Sequence, residues 1–66
     1  MEILVNGQPR TVRDGLTVAA LVAQLGLAGK RLAVEVNRDI VPRGEHAERA
    51  LHDGDRIEII HAIGGG

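Results

Sequence analysis

The 66-residue chain contains no cysteine, serine, phenylalanine, tyrosine or tryptophan, and its formal net charge is only −1. Without cysteine there is no disulfide framework and no thiolate zinc site, and no metal site is assigned. The only side-chain hydroxyls are those of Thr11 and Thr17, and the only lysine is Lys30. A hydrolase or transferase that attacks with a side chain has almost nothing to attack with, so no catalytic residue is assigned. No aromatic ring is present to stack on a base, and Lys30-Arg31 is the only adjacent basic pair, so nucleic acid is not expected as a partner. No apolar run approaches membrane-spanning length and no signal-peptide pattern opens the chain, which suits a cytoplasmic protein with no membrane partner.

What is present is aliphatic. Hydrophobic residues make up 44% of the chain, and the core has to be assembled from Leu, Ile, Val and Ala. This length allows one domain, one small core and modest net stability. Such a domain is poorly suited to a strained, buried active site and better suited to presenting a surface or a tail.

Met1 to Val5 reads as a strand, with Ile3 and Val5 on one face and Glu2, Leu4 and Asn6 on the other. Asn6-Gly7 is a hairpin signal, because both residues tolerate positive φ. The second strand runs over roughly Gln8 to Arg13 with Val12 inward, and Pro9, which has no N–H, favours a sheet edge. After the Asp14-Gly15 turn, Thr17 is placed to cap a helix. Val18, Leu21, Val22 and Leu25 follow at helical spacing as one apolar stripe, and Gly26 fits the left-handed position after the last turn. A third strand covers Leu32 to Val36, and Asn37-Arg38-Asp39 is turn-like. Ile40-Val41 forms a short fourth strand ended by Pro42. Gly44 to Ala50 is charged and read as containing a helical turn, with Leu51 its anchor to the core. Asp53-Gly54-Asp55 turns the chain into a last strand, Arg56 to Ala62, followed by Ile63-Gly64-Gly65-Gly66.

This pattern predicts an α+β domain: a mixed sheet of four to five strands with one main helix packed on one face. The other sheet face has no covering layer. Leu4, Ile60 and Ala62 all point away from the core sets of their strands. If the first and last strands are neighbours, Leu4 and Ile60 form a small apolar patch near the tail, a candidate partner-binding surface.

The hairpin at Asn6-Gly7, the single capped helix, the Ile40-Val41-Pro42-Arg43 segment, the Asp53-Gly54-Asp55 turn and the terminal glycines occur in this order over the whole chain. Together they resemble the ThiS family of sulfur carriers of thiazole (thiamine) biosynthesis, which are ubiquitin-like β-grasp proteins. The resemblance implies a β-grasp domain over residues 1–62 and a flexible glycine-rich tail over residues 63–66. The family's functional pair maps onto Gly65-Gly66, with Gly64 an additional glycine. The small subunit of molybdopterin synthase shares fold and tail, but is usually longer and richer in aromatics. A ubiquitin-like modifier joined to lysines through Gly66 uses the same kind of tail and is not separated by sequence, and a plain interaction domain with an inert tail is the third alternative.

The resemblance further implies a protein co-substrate rather than an enzyme. A ThiF-like adenylyltransferase activates the Gly66 carboxylate with ATP, a sulfur-donating enzyme converts the acyl-adenylate to a thiocarboxylate, and thiazole synthase (ThiG-like) receives the sulfur. The carrier itself binds no cofactor. A carboxylate is a poor electrophile, and adenylation supplies AMP as a stable leaving group. Glycines at 64, 65 and 66 let the tail thread a narrow channel and accept whatever φ and ψ the channel imposes. Together with Ile63 they reach about 13–14 Å when extended.

Other polar residues weigh less. His46 beside Glu45 and Glu48, and His52 beside Asp53 and Asp55, lack metal-ligand spacing and read as a solvated charged face. His61 alternates with Ile57 and Ile59 and reads as a half-buried spacer. Arg43 is either a partner contact or a solvent-exposed arginine. The acidic residues Glu45, Glu48, Asp53, Asp55 and Glu58 are available to a basic partner surface.

Overall fold

A computed structural model describes residues 1–61 of the chain. Ala62, Ile63, Gly64, Gly65 and Gly66, on which the tail and the end of the last strand fall, lie outside the described residues.

The first strand, β1 (Glu2–Val5), turns back through Asn6-Gly7 into β2 (Gln8–Thr11). The two turn residues have φ of 50° and 82°, the geometry whose twist suits a two-residue hairpin loop. Strand β2 stops at Thr11 rather than Arg13, although the Val12 N–H still donates to the Met1 carbonyl at 2.8 Å and the Val12 side chain is buried. Pro9 lies opposite Leu4 on this edge strand, where a missing donor breaks no ladder.

Helix α1 (Val18–Gln24) starts at Thr17, whose Oγ1 accepts the Ala20 N–H at 3.1 Å. Val18, Leu21 and Val22 are buried, and Ala23 and Gln24 face solvent. The Leu27 N–H donates to the Val22 carbonyl and the Gly26 N–H to the Ala23 carbonyl, both at 3.0 Å, with Gly26 at φ 74°. This pair of bonds closes the helix and turns Leu27 back onto the core.

Strand β3 (Leu32–Val36) leads through an Asn37-Arg38 turn into β4 (Asp39–Val41). Asp39 therefore belongs to the strand and not to the turn. The last strand, β5 (Arg56–His61), occupies the middle of a five-stranded sheet of order β2-β1-β5-β3-β4. It is parallel to β1 and antiparallel to β3. The helix covers one face of this mixed sheet, giving the expected α+β architecture. The buried core of the described residues is made only of Ile, Leu and Val: Ile3, Val34, Val36, Val41, Ile57 and Ile59 from the strands meet Val18, Leu21 and Val22 from the helix.

The connection from β4 to β5 contains a 3-10 turn (Arg43–Glu45) and is stitched to the helix start. The Val18 N–H donates to the Arg49 carbonyl at 2.9 Å and the Leu51 N–H to the Leu16 carbonyl at 2.8 Å. Leu51 is only 1% exposed and anchors the segment. The Asp-Gly-Asp turn is an internal clamp. Asp53 Oδ1 accepts the Glu2 N–H at 2.8 Å, Asp55 Oδ2 accepts the His52 N–H at 2.8 Å, and Asp55 Oδ1 accepts from Asn37 Nδ2 at 3.0 Å. These two carboxylates hold β1 and the β3–β4 turn in place.

Candidate functional site

The tail candidates follow directly on β5, so the site begins with how that strand is held. On one side β3 pairs with it as far as Leu32 opposite His61. On the other side β1 ends at Val5, because the hairpin turns the chain away. Asn6 extends the ladder past that end. Its N–H donates to the Ile57 carbonyl at 2.8 Å, and its Oδ1 accepts the Ile59 N–H at 2.7 Å. Sequence reasoning found Asn6 only as a turn residue, and nothing in the chain signals a contact to a residue so far along it.

The uncovered sheet face carries Leu4 and Ile60. Leu4 is half-buried and stands opposite Arg56; Ile60 is 52% exposed and stands opposite Ala33. Arg56 and Ile60 are four positions apart on β5, about 13 Å of strand, with Glu58 between them on the same face, so Leu4 and Ile60 are not adjacent. Glu58 itself lies opposite Glu35. The other large exposed hydrophobic among the described residues is Ile40 on β4, opposite Glu35. Sequence reasoning gave Ile40 no role. The signal was the alternation of a strand whose Val41 faces inward. Ala62, the third residue of the expected patch, lies outside the described residues.

Where β5 ends, an open hollow of about 270 Å³ is lined by Arg31, Leu32, Ala33, Arg43, Ile60 and His61. His61 is exposed, and the half-buried position expected for it is corrected. Its partner Leu32 is itself only half-buried, so the ladder ends where the core gives out. Arg43 Nη2 donates to the Lys30 carbonyl at 3.0 Å, tying the 3-10 turn to the loop that enters β3. His46 is half-buried with Nε2 2.9 Å from the Val41 carbonyl, and His52 is exposed. Among the described residues no group of three or more His, Asp or Glu is placed to hold a metal ion. The hydroxyl and amine side chains stand apart from this hollow. Thr17 caps the helix, Thr11 is exposed on the edge strand and Lys30 is exposed in a loop.

A mixed five-stranded sheet with one helix across it, whose central strand carries the chain out toward terminal glycines, defines the class: a ubiquitin-like β-grasp protein. A sequence model of the ThiS family matches residues 3–66. The chain is 38% identical to the sulfur carrier protein ThiS of Escherichia coli, with all of both chains aligned. It is 42% identical, over its whole length, to a thiazole synthase of Paramagnetospirillum magneticum. It spans only 20% of the length of that protein. The crystal structure of the thiamine biosynthesis protein ThiS from Geobacter metallireducens superimposes with a TM-score of 0.86 at 33% identity, covering both chains fully. The chain belongs to the ThiS family. No helix among the described residues is long and apolar enough to cross a membrane.

Proposed function

We propose that this protein is a sulfur carrier for thiazole formation in thiamine biosynthesis, acting as a protein co-substrate rather than a catalyst. The observation that carries the reading is the family match over residues 3–66, which runs through the glycines and includes Gly66. The Gly66 carboxylate attacks the α-phosphorus of ATP on a ThiF-like activating enzyme, releasing pyrophosphate and giving an acyl-adenylate. A sulfur-donating enzyme then delivers a hydrosulfide equivalent, whose sulfur attacks the carbonyl carbon; the acyl C–O bond to AMP breaks as the C–S bond forms, and AMP leaves. The resulting thiocarboxylate is anionic and keeps a soft, nucleophilic sulfur, which passes to the substrate of thiazole synthase. The use of ATP fits a cytoplasmic setting. Ile63, Gly64 and Gly65 form the thread that carries Gly66 into each partner, and no Cβ at 64 to 66 widens it.

Two features support this division of labour. The family match includes a curated sulfur carrier, the Escherichia coli ThiS protein, aligned over the whole of both chains, and a carrier leaves acid–base and electrostatic work to its partners. The thiazole synthases that match this chain over all of its 66 residues are themselves about five times longer. A carrier-like stretch and a thiazole synthase thus occur in one polypeptide, which supports thiazole synthase as a partner.

The test is intact-mass analysis after incubation with a ThiF-like enzyme, ATP and a sulfur donor. Exchange of one oxygen for sulfur at Gly66 is expected. An unchanged mass, with the same enzymes active on another carrier, sinks the proposal, and lysine-linked adducts in cell extract would favour a protein modifier instead. Gly65→Val, or one residue appended after Gly66, should abolish charging while thermal unfolding stays unchanged. Charging of either variant at the normal rate would refute the threaded-tail account.

A further inference from the structure

The hollow at the end of β5 has a neighbour. On the other side of Arg43 a second hollow of about 170 Å³ runs between α1 and the start of β3, floored by Val22, Leu27 and Leu32 and rimmed by Lys30 and His46. Arg43 and Leu32 line both. The two hollows form one surface with an aliphatic floor and a basic rim of Lys30, Arg31 and Arg43, all exposed. No acidic residue lines either hollow. The ion pairs among the described residues join Met1 to Asp14 and His52 to Asp55, so none uses these three cations.

This is an unusual concentration in a chain of net charge −1 with eight Lys and Arg in all. Three of them line the hollows beside the end of β5, and none is in an ion pair among the described residues. The guanidinium of Arg43 gives one bond to the Lys30 carbonyl and has further donors to offer. Arginine over an aliphatic floor is the composition of an interface anchor and not of a merely solvated face.

We propose that Lys30, Arg31 and Arg43 form a cationic collar at the foot of the tail, which docks onto carboxylates rimming the opening of thiazole synthase into which the tail runs. The proposal rests on the sulfur-carrier reading and adds to it the recognition element. Nucleic acid fits the surface poorly, because the chain has no aromatic ring to stack on a base. Thiazole synthase is the partner that fits, because the thiazole synthases of Paramagnetospirillum magneticum and Magnetococcus marinus match this chain over its full length. The collar lies beside the strand end, so charges that steer the encounter also bring the tail to its opening.

The experiment measures association and dissociation rates of the full chain with the thiazole synthase of the same organism. It is run at about 0.1 M and about 1 M salt, where the screening length is about 10 and 3 Å. The test variant is Lys30→Glu with Arg31→Glu. Neither side chain makes a hydrogen bond or ion pair among the described residues, so the fold is not at risk. Arg43 is left in place because it also ties its loop. The control is Arg10→Glu with Arg13→Glu, the same change of charge at the β2 side of the domain. The test variant should associate about 10-fold more slowly at the lower salt, with the difference largely gone at the higher salt and the dissociation rate little changed. The control should stay close to wild type. Equal slowing in both variants, or unchanged association in the test variant, overturns the collar while leaving the carrier reading intact. Self-association of the wild type that the test variant abolishes assigns the surface to a second copy and also overturns it. A wild type that neither binds the enzyme nor gains sulfur overturns both readings together.

Discussion

Asn6→Ala is the substitution whose cost follows most directly from the geometry around β5. In the wild type Asn6 Oδ1 accepts the Ile59 N–H at 2.7 Å, one residue beyond the end of β1, while Asn6 itself sits at φ 50°. Alanine removes the acceptor and leaves a partly buried amide unpaired, a loss of about 1–3 kcal/mol. It also places an ordinary Cβ in the left-handed region without the local polar compensation of asparagine, adding about 1 kcal/mol. The sum is about 2–4 kcal/mol. A chain of this length has about 3–10 kcal/mol in total at the usual stability per residue. Urea unfolding followed by far-UV circular dichroism should therefore show a large fall in midpoint. The melting temperature should drop by about 10–30 °C. Asn6→Gly isolates the hydrogen bond, since glycine accepts the φ, and should fall between alanine and wild type. Asn6→Asp keeps both acceptor and turn and should stay within about 1 kcal/mol of wild type. The Ile59 amide should exchange with solvent faster in the alanine variant than in the aspartate one. An alanine variant within about 0.5 kcal/mol of wild type, or an Ile59 amide equally protected in both, would refute the claim that this side chain continues the ladder.

Three further substitutions probe other parts of the structure. Arg38 occupies a hairpin turn at φ 73°, so Arg38→Gly should stabilise the domain by about 1 kcal/mol in the same urea titration. Thr17→Ala removes the cap on the Ala20 N–H and should cost about 1 kcal/mol, restored by Thr17→Ser but not by Thr17→Val. Leu4→Glu with Ile60→Glu should leave the unfolding midpoint nearly unchanged, because Leu4 faces Arg56 and Ile60 is exposed. The same pair should weaken binding to the activating enzyme or to thiazole synthase by at least about 10-fold, as expected if it removes an interface anchor. Unchanged affinity in calorimetry would return both residues to the ordinary surface.

Local patterns carried most of the element assignments. Asn6-Gly7, the Thr17 cap and Gly26 each state a backbone geometry in one or two residues and are found as read; of the four-residue stripe Val18, Leu21 and Val22 are buried, while Leu25 is the half-buried C-cap just past the helix. Leu51, expected to anchor the charged stretch before it, is buried. What local pattern does not encode is pairing across the chain. The first and last strands lie side by side in parallel, a contact that depends on the whole topology. The roles of Asn6, Asp53 and Asp55 depend on that pairing, so the two aspartates looked like surface charge and proved to be clamps on backbone amides. His61 was misjudged because alternation reports which face a residue takes, but not where the core beneath that face ends. The collar was half legible: Lys30-Arg31 was visible as a pair, whereas the arrival of Arg43 beside it needed the fold.

The placement of β5 has a mechanical consequence. The strand that precedes the glycines lies in the middle of the sheet, with β1 on one flank and β3 on the other. A pull along the tail is therefore transmitted along the strand axis and loads the hydrogen bonds on both flanks in shear, so that many must yield together. Had the tail followed an edge strand, the same pull could have peeled bonds away one after another. A domain loaded from that end resists being unravelled, because β5 cannot leave the sheet without breaking both of its ladders.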